Sequence, residues 1–217
     1  MPSSLAEGLL AEQWVRPDYG SAPERWTTDR LHEHAWSAQQ RIMRSVVENR
    51  FTAVPSAHDL GKSWVASRIG AWWLTTGHAA GLERFLVSTA PSAAQVSAIL
   101  WRELAKAHAR GRLPGRITRA GYPQWHHGDE MIGYGRKPAD HDESAFQGIH
   151  ATGGVLVLID EAGGVPAPLW DAVRSLVGNE RSRVLSIGNP DDAQSEFARV
   201  CRPGSGWNVI ADRRAHV

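Results

Sequence analysis

Residues 54–70 read VPSAHDLGKSWVASRIG. Within them, Ser56-Ala57-His58-Asp59-Leu60-Gly61-Lys62-Ser63 follows the phosphate-binding pattern G-x-x-x-x-G-K-[ST], with Ser56 in place of the first glycine. A loop of this kind turns from a strand into a helix. It aims backbone N–H groups and the positive end of the helix dipole at an anion. Gly61 lets the backbone approach phosphate, and Lys62 neutralises β- and γ-phosphate oxygens. The Ser63 hydroxyl is a hard oxygen donor of the type Mg2+ prefers. Backbone amides do most of the cradling, so side-chain identity between Ser56 and Gly61 is partly free. His58 and Asp59 tolerate left-handed backbone, and the Asp59 carboxylate must point away from a triphosphate.

A second group of residues fits the first. Val155-Leu-Val-Leu-Ile-Asp160-Glu161 is an apolar run that ends in two carboxylates. At the C-terminal end of a parallel strand, Asp160 would contact the Mg2+, directly or through water. Glu161 would hold and polarise an attacking water as general base. Ligands of open α/β sheets bind beyond those strand ends. The two groups in this order, about a hundred residues apart, point to a nucleoside triphosphate site.

The elements that must position these groups are legible in the hydrophobic periodicity. Residues 1–30, with RPDYGSAPERW at their centre, read as an irregular arm. Helical patterns are predicted over 31–49, 63–76, 92–110 and 168–177. Strands are predicted over 51–54, 84–88, 155–159, 183–187 and 207–210. Residues 111–153 are rich in Gly, Pro and His and show few strong elements, with 130–134 as one strand. Alternating strands and helices predict one α/β domain over 31–217. Its sheet is mostly parallel, with helices on both faces.

Composition bounds the remaining possibilities. A chain of 217 residues with net charge +1 and 22% charged residues can bury a sizeable core. The near-neutral balance confines any basic surface to a local patch. The single cysteine, Cys201, excludes an internal disulfide framework. No apolar run approaches the roughly 20 residues needed to cross a bilayer, and MPSSLAEGLLAEQW lacks the basic start of a secretory signal. Most of the ten tryptophans are expected in the core.

Four stretches together resemble the ATPase domain of the large terminase subunit of tailed bacteriophages. WSAQQRIMRS (36–45) is similar to the glutamine motif of that family, in which the Gln39 carboxamide would donate to and accept from the adenine edge. The second is the phosphate loop, where terminases often have serine at the position of Ser56. The third is AFQGIH (145–150) running into Val155–Glu161 and AGGVP. The fourth, SIGNP (186–190), looks like the coupling motif that senses the γ-phosphate, with Ser186, Gly188 and Asn189 as its polar and turning residues.

The resemblance covers about residues 30–212. It implies a P-loop NTPase of the additional-strand, catalytic-glutamate class. The implied cofactors are ATP and Mg2+, with residues 56–63 and Gln39 on the nucleotide, Lys62 and Glu161 catalytic, and Ser63 and Asp160 on the metal. It further implies a motor that moves double-stranded DNA into a procapsid in the host cytoplasm. Its partners would be a portal, a small terminase subunit and other copies in a ring, with no membrane involved. Relatives carry an arginine where Gln147 stands. The arginine finger is therefore sought at Arg136, with Arg110, Arg112 and Arg116 as alternatives. No nuclease activity is expected from this stretch of chain.

Two other functions remain open on the residues alone. One is a helicase or other DNA translocase, which usually needs a second core domain. The other is a nucleotide-binding regulatory subunit with negligible turnover, for which Glu161 would be superfluous. His126-His127, His141, His150 and Cys201 lack zinc-ligand spacing, and the histidines read as exposed loop residues. The basic run ARGRLPGRITR (109–119) is either a solvated loop or a phosphate contact.

Overall fold

The computed structural model describes residues 18–56, 61–119, 121–137, 146 and 148–211. In chain order the first elements are α1 (Pro23–Leu31), α2 (Ser37–Glu48), β1 (Phe51–Pro55), α3 (Lys62–Ala79) and β2 (Phe85–Thr89). A short α4 (Ala93–Gln95) continues through a π-helical turn (Val96–Leu100) into α5 (Trp101–Gly111). Then come β3 (Arg116–Thr118), β4 (Gln124–His127), β5 (Glu130–Gly135) and β6 (Val155–Asp160). The last are α6 (Ala167–Leu176), β7 (Arg183–Gly188), α7 (Glu196–Val200) and β8 (Asn208–Val209).

All eight strands form one sheet in the order β3-β4-β5-β2-β6-β7-β1-β8. The run from β5 to β8 is parallel, and β3 and β4 extend it antiparallel. Every residue of β6 is buried, as a strand covered on both faces requires. Leu156 and Leu158 face the layer of α1, α2, α3 and α5, and Val155, Val157 and Ile159 face α6 and α7. The expected α/β fold with a mostly parallel sheet and helices on both faces is therefore observed.

The central helix α3 is apolar along most of its 18 residues because it is enclosed on nearly every side. Gly70 lets it approach the sheet: a Cβ there would lie 3.2 Å from Leu86. Trp26, Trp72, Trp101, Trp125 and Trp170 are fully buried. Indole N–H groups brace this core: Trp72 donates to the Tyr19 carbonyl ahead of α1 (2.6 Å), and Trp101 on α5 to Ser88 Oγ on β2 (2.7 Å). Helix C-termini gather at the N-terminal edge of the strands, where arginines meet them. Arg183 donates to the Val46 carbonyl (3.0 Å) at the end of α2, and Arg50 to that of Val177 after α6.

Three local expectations are corrected. Residues 23–31 are not an irregular arm but helix α1, with Trp26 and Leu31 fully buried; residues 1–17 of that expected arm lie outside the described residues. Pro23 occupies the first helical turn, where proline starts a helix rather than breaking one. The single helix expected over 31–49 is split, because His32 turns left-handed (φ 52°) and α2 starts only at Ser37. The stretch 111–153 carries two unforeseen strands, β3 and β4, beside the expected one. They are short, and antiparallel pairing with β5 supplies the stabilisation that their own pattern lacks.

Candidate nucleotide site

Strand β1 delivers the chain to Ser56, which is buried and anchored by its N–H to the Gly188 carbonyl (2.9 Å). Ala57, His58, Asp59 and Leu60 lie outside the described residues. The chain re-enters at Gly61, which caps α3 in left-handed backbone (φ 64°, ψ 36°). Glycine adopts that backbone without strain, and a Cβ there would fall 2.9 Å from Gln39 Nε2 and displace the end of that side chain. Lys62 and Ser63 are thus the first two residues of an 18-residue helix, at its positive end. Lys62 is 9% exposed and its ammonium donates back to the Ser56 carbonyl (3.4 Å).

The two sequence groups meet across the sheet's C-terminal edge. Ser63 Oγ donates to Asp160 Oδ2 (3.1 Å), and Lys62 Nζ lies 3.7 Å from Glu161 Oε1. Asp160 closes β6 and is 3% exposed. Its second oxygen accepts the Glu161 N–H (3.0 Å). Burial raises its carboxyl above the ordinary range and the adjacent Glu161 adds to this, while the Ser63 bond and Lys62 pull the other way. Glu161 itself sits in left-handed backbone (φ 48°), an uncommon place for a non-glycine residue, and one found at functional sites. This turn swings its side chain toward Lys62.

A buried carboxylate beside a hydroxyl is an all-oxygen donor set of the kind Mg2+ takes. With Ser63 Oγ 3.1 Å from Asp160 Oδ2 at the sheet edge, these two residues fit a divalent cation.

Strand β7 lies between β1 and β6, so an additional strand separates the phosphate loop from the carboxylate pair. The end of β7 touches both. A Cβ on Gly188 would lie 2.6 Å from the Ala162 nitrogen and 3.0 Å from that of Gly163, in the turn that follows Glu161. The other two residues of the expected coupling motif are turned elsewhere. Ser186 is buried within the sheet and donates to the Thr52 carbonyl (3.4 Å), and Asn189 donates to Asp191 Oδ2 (2.8 Å).

Gln39 is brought to the loop, but its carboxamide is already half used. Its Oε1 accepts the Trp36 N–H (3.3 Å), satisfying the backbone donor at the N-cap of α2. Beside it opens a small pocket lined by Trp36, Ile42, Val54, Val65 and Ile210 and reaching Ser56 and Lys62. Arg136 is exposed at the end of β5, where its N–H binds the Ser88 carbonyl (3.0 Å). Two strand spacings, about 10 Å, separate β5 from β6. Of the other arginines considered, Arg110 pairs with Glu33 (3.2 Å) and Arg116 donates to the Gly128 carbonyl (2.9 Å). Gln147 and His141 lie outside the described residues. His126 and His127 are not exposed loop residues but half-buried in β4, where pairing with β5 holds them and the His127 ring lies against His78, centroids 3.9 Å apart and tilted by 48°.

Periodicity did not single out Glu33, Arg68 and Glu103. Arg68, on α3, is 2% exposed and bonds both carboxylates. An arginine inside an apolar helical run was the available signal.

No protein-family model matches the chain, and no curated protein aligns with it. Solved structures do. The large terminase ATPase domain of Thermus phage P74-26 superposes with a TM-score of 0.65 at 17% identity, over 88% of this chain and 85% of that one. A large terminase from a thermophilic bacteriophage matches with a TM-score of 0.60 at 14% identity, over 81% of this chain. This chain spans only 45% of that terminase. A structure of S. cerevisiae Dbp5 bound to Gle1 and IP6 follows at 0.55 and 15% identity. With its additional central strand and its carboxylate pair, the chain has the α/β P-loop ATPase fold, and it resembles the ATPase domains of phage large terminases.

Proposed function

We propose that this chain is the ATP-hydrolysing motor domain of a phage large terminase, driving double-stranded DNA into a procapsid. The observation that carries the reading is the meeting of Lys62 and Ser63 with Asp160 and Glu161 at one sheet edge, with β7 between their strands. The terminase neighbours include one solved with ADP and one with ATP-gamma-S.

In this reading the N–H groups at the start of α3 and Lys62 hold the β- and γ-phosphates. Ser63 and Asp160 hold Mg2+, which when bound neutralises charge developing on the phosphate oxygens. Lys62, now engaged by phosphate, releases Glu161. The Glu161 carboxylate accepts the proton of an aligned water as that water attacks the γ-phosphorus, the bond to the β,γ-bridging oxygen breaks, and ADP leaves carrying that oxygen. Gln39 contacts the base. The Gly188 contact transmits movement of the Glu161 turn to β7, so loss of the γ-phosphate shifts the strand end that also anchors Ser56. Arg136 is the candidate arginine finger, acting within the chain or on a neighbour in a ring. Portal, small terminase subunit and host cytoplasm follow from the same reading.

Glu161→Gln tests it. ATP affinity should stay within about twofold by calorimetry, while phosphate release falls about 10²-fold or more. Near-normal release would place the base elsewhere.

A further inference from the structure

The Arg68 network has no part in phosphate chemistry, yet it ties the phosphate helix to the segment that carries the glutamine. Arg68 lies six residues beyond Lys62 on α3, about 9 Å along the helix axis. Its Nε and Nη2 donate to the two oxygens of Glu33, both at 2.8 Å. Its Nη1 donates to Glu103 Oε2 (3.1 Å) and Ser67 Oγ (3.0 Å), and the guanidinium lies over the Trp64 ring at 4.8 Å. Glu33 sits in the non-helical link between α1 and α2, three residues before Trp36. Trp36 in turn binds Gln39 Oε1 through its N–H, and Gln39 Nε2 abuts Gly61. The circuit runs from α3 through Arg68 to Glu33 by ion pair, along three residues of chain to Trp36, to Gln39 by hydrogen bond, and back beside the start of α3 at Gly61.

A buried ion pair is seldom more stabilising than apolar packing of the same volume. What the two-point fork adds is direction, because both oxygens of Glu33 must lie in the guanidinium plane. That restricts where residues 32–36 can sit, and so where Gln39 meets the loop. We infer that Arg68 and Glu33 are positioning residues for base selectivity: they hold Gln39 in the register that distinguishes adenine from other bases, without contributing to phosphate affinity. The inference rests on the reading that a nucleoside triphosphate binds at Gly61–Lys62–Ser63.

The test compares ATP, GTP and tripolyphosphate, each with Mg2+, in competition binding. Glu33→Gln keeps the side-chain size and leaves Arg68 paired with Glu103. The double variant Glu33→Leu/Arg68→Met replaces the pair with apolar packing and leaves Glu103 with Lys106, 2.6 Å away. Both should lower the ATP-over-GTP preference about tenfold while tripolyphosphate affinity stays within about twofold. Arg68→Lys, with no fork, should behave like them. Thermal melts establish that each variant is folded. A preference unchanged in both folded variants would overturn the inference. So would an equal loss for all three ligands, or a wild-type chain that binds ATP and GTP alike; each of these still leaves the wild type binding a nucleoside triphosphate. A wild-type chain that binds none of the three would instead refute the nucleotide reading, and the inference with it.

Discussion

Asp160→Asn should make the nucleotide-free protein more stable while disabling it. Asp160 is 3% exposed and accepts two hydrogen bonds, from the Ser63 hydroxyl and the Glu161 N–H. Its carboxyl is nonetheless raised, first by burial and then by Glu161. An acid whose folded pKa exceeds its unfolded value stabilises the fold while protonated. That stability is lost as pH rises through the folded pKa, and above it the fold carries the cost of the buried charge. Asparagine keeps the geometry: its oxygen accepts the Glu161 N–H, and its amide donates to Ser63 Oγ. Relief of a strained functional position typically gains about 0.5–2 kcal/mol. For a chain of this size each kcal/mol is about 2–4 °C in Tm. Melts followed by circular dichroism, without divalent ions, should show the variant a few degrees higher at pH 7. The gap should close in acid, where Asp160 of the wild type is neutral too. Added Mg2+ and ATP should reverse the order, because only the wild type gains binding energy. A variant that melts lower than wild type at pH 7 without ligands would refute the argument, since Asp160 would then be a structural anion rather than a charge held for a cation.

Two further outcomes are expected. Gly188→Ala forces a Cβ to within 2.6 Å of the Ala162 nitrogen, so the turn after Glu161 must shift. Stability should drop by about 1–3 kcal/mol in urea melts, and phosphate release should fall while nucleotide binding persists; wild-type turnover would break the proposed coupling. Glu103 has its carboxyl lowered below the ordinary 4.5: burial alone would raise it, but the bonds to Lys106 and Arg68 outweigh burial. A depressed carboxyl stabilises the fold above its unfolded pKa and loses that contribution as pH falls through the folded value. Glu103→Gln should therefore flatten the acid side of the stability profile below about pH 4.5 and leave its slope near neutrality unchanged.

The candidate site residues and most of the elements that bear them were legible in the sequence. Gly61-Lys62-Ser63 opening an apolar helix, and an apolar strand ending in Asp160-Glu161, are patterns of adjacent residues, and local backbone preference reads them out. The alternation of strands and helices was legible for the same reason. Features that depend on residues far apart in the chain came from the packing. The place of β7 between β1 and β6 is one such feature, and the contact of Ser63 with Asp160, 97 residues away, is another. The left-handed turn at Glu161 belongs here too, because no local signal asks a glutamate to adopt it. So does the circuit through Arg68 and Glu33, which are 35 residues apart. Helix α1 was hidden because proline, serine and charge near it resemble a loop until Trp26 is buried against the rest of the fold. Periodicity records which face of an element is buried but not what covers it; that choice is made by packing between segments whose separation no local pattern encodes.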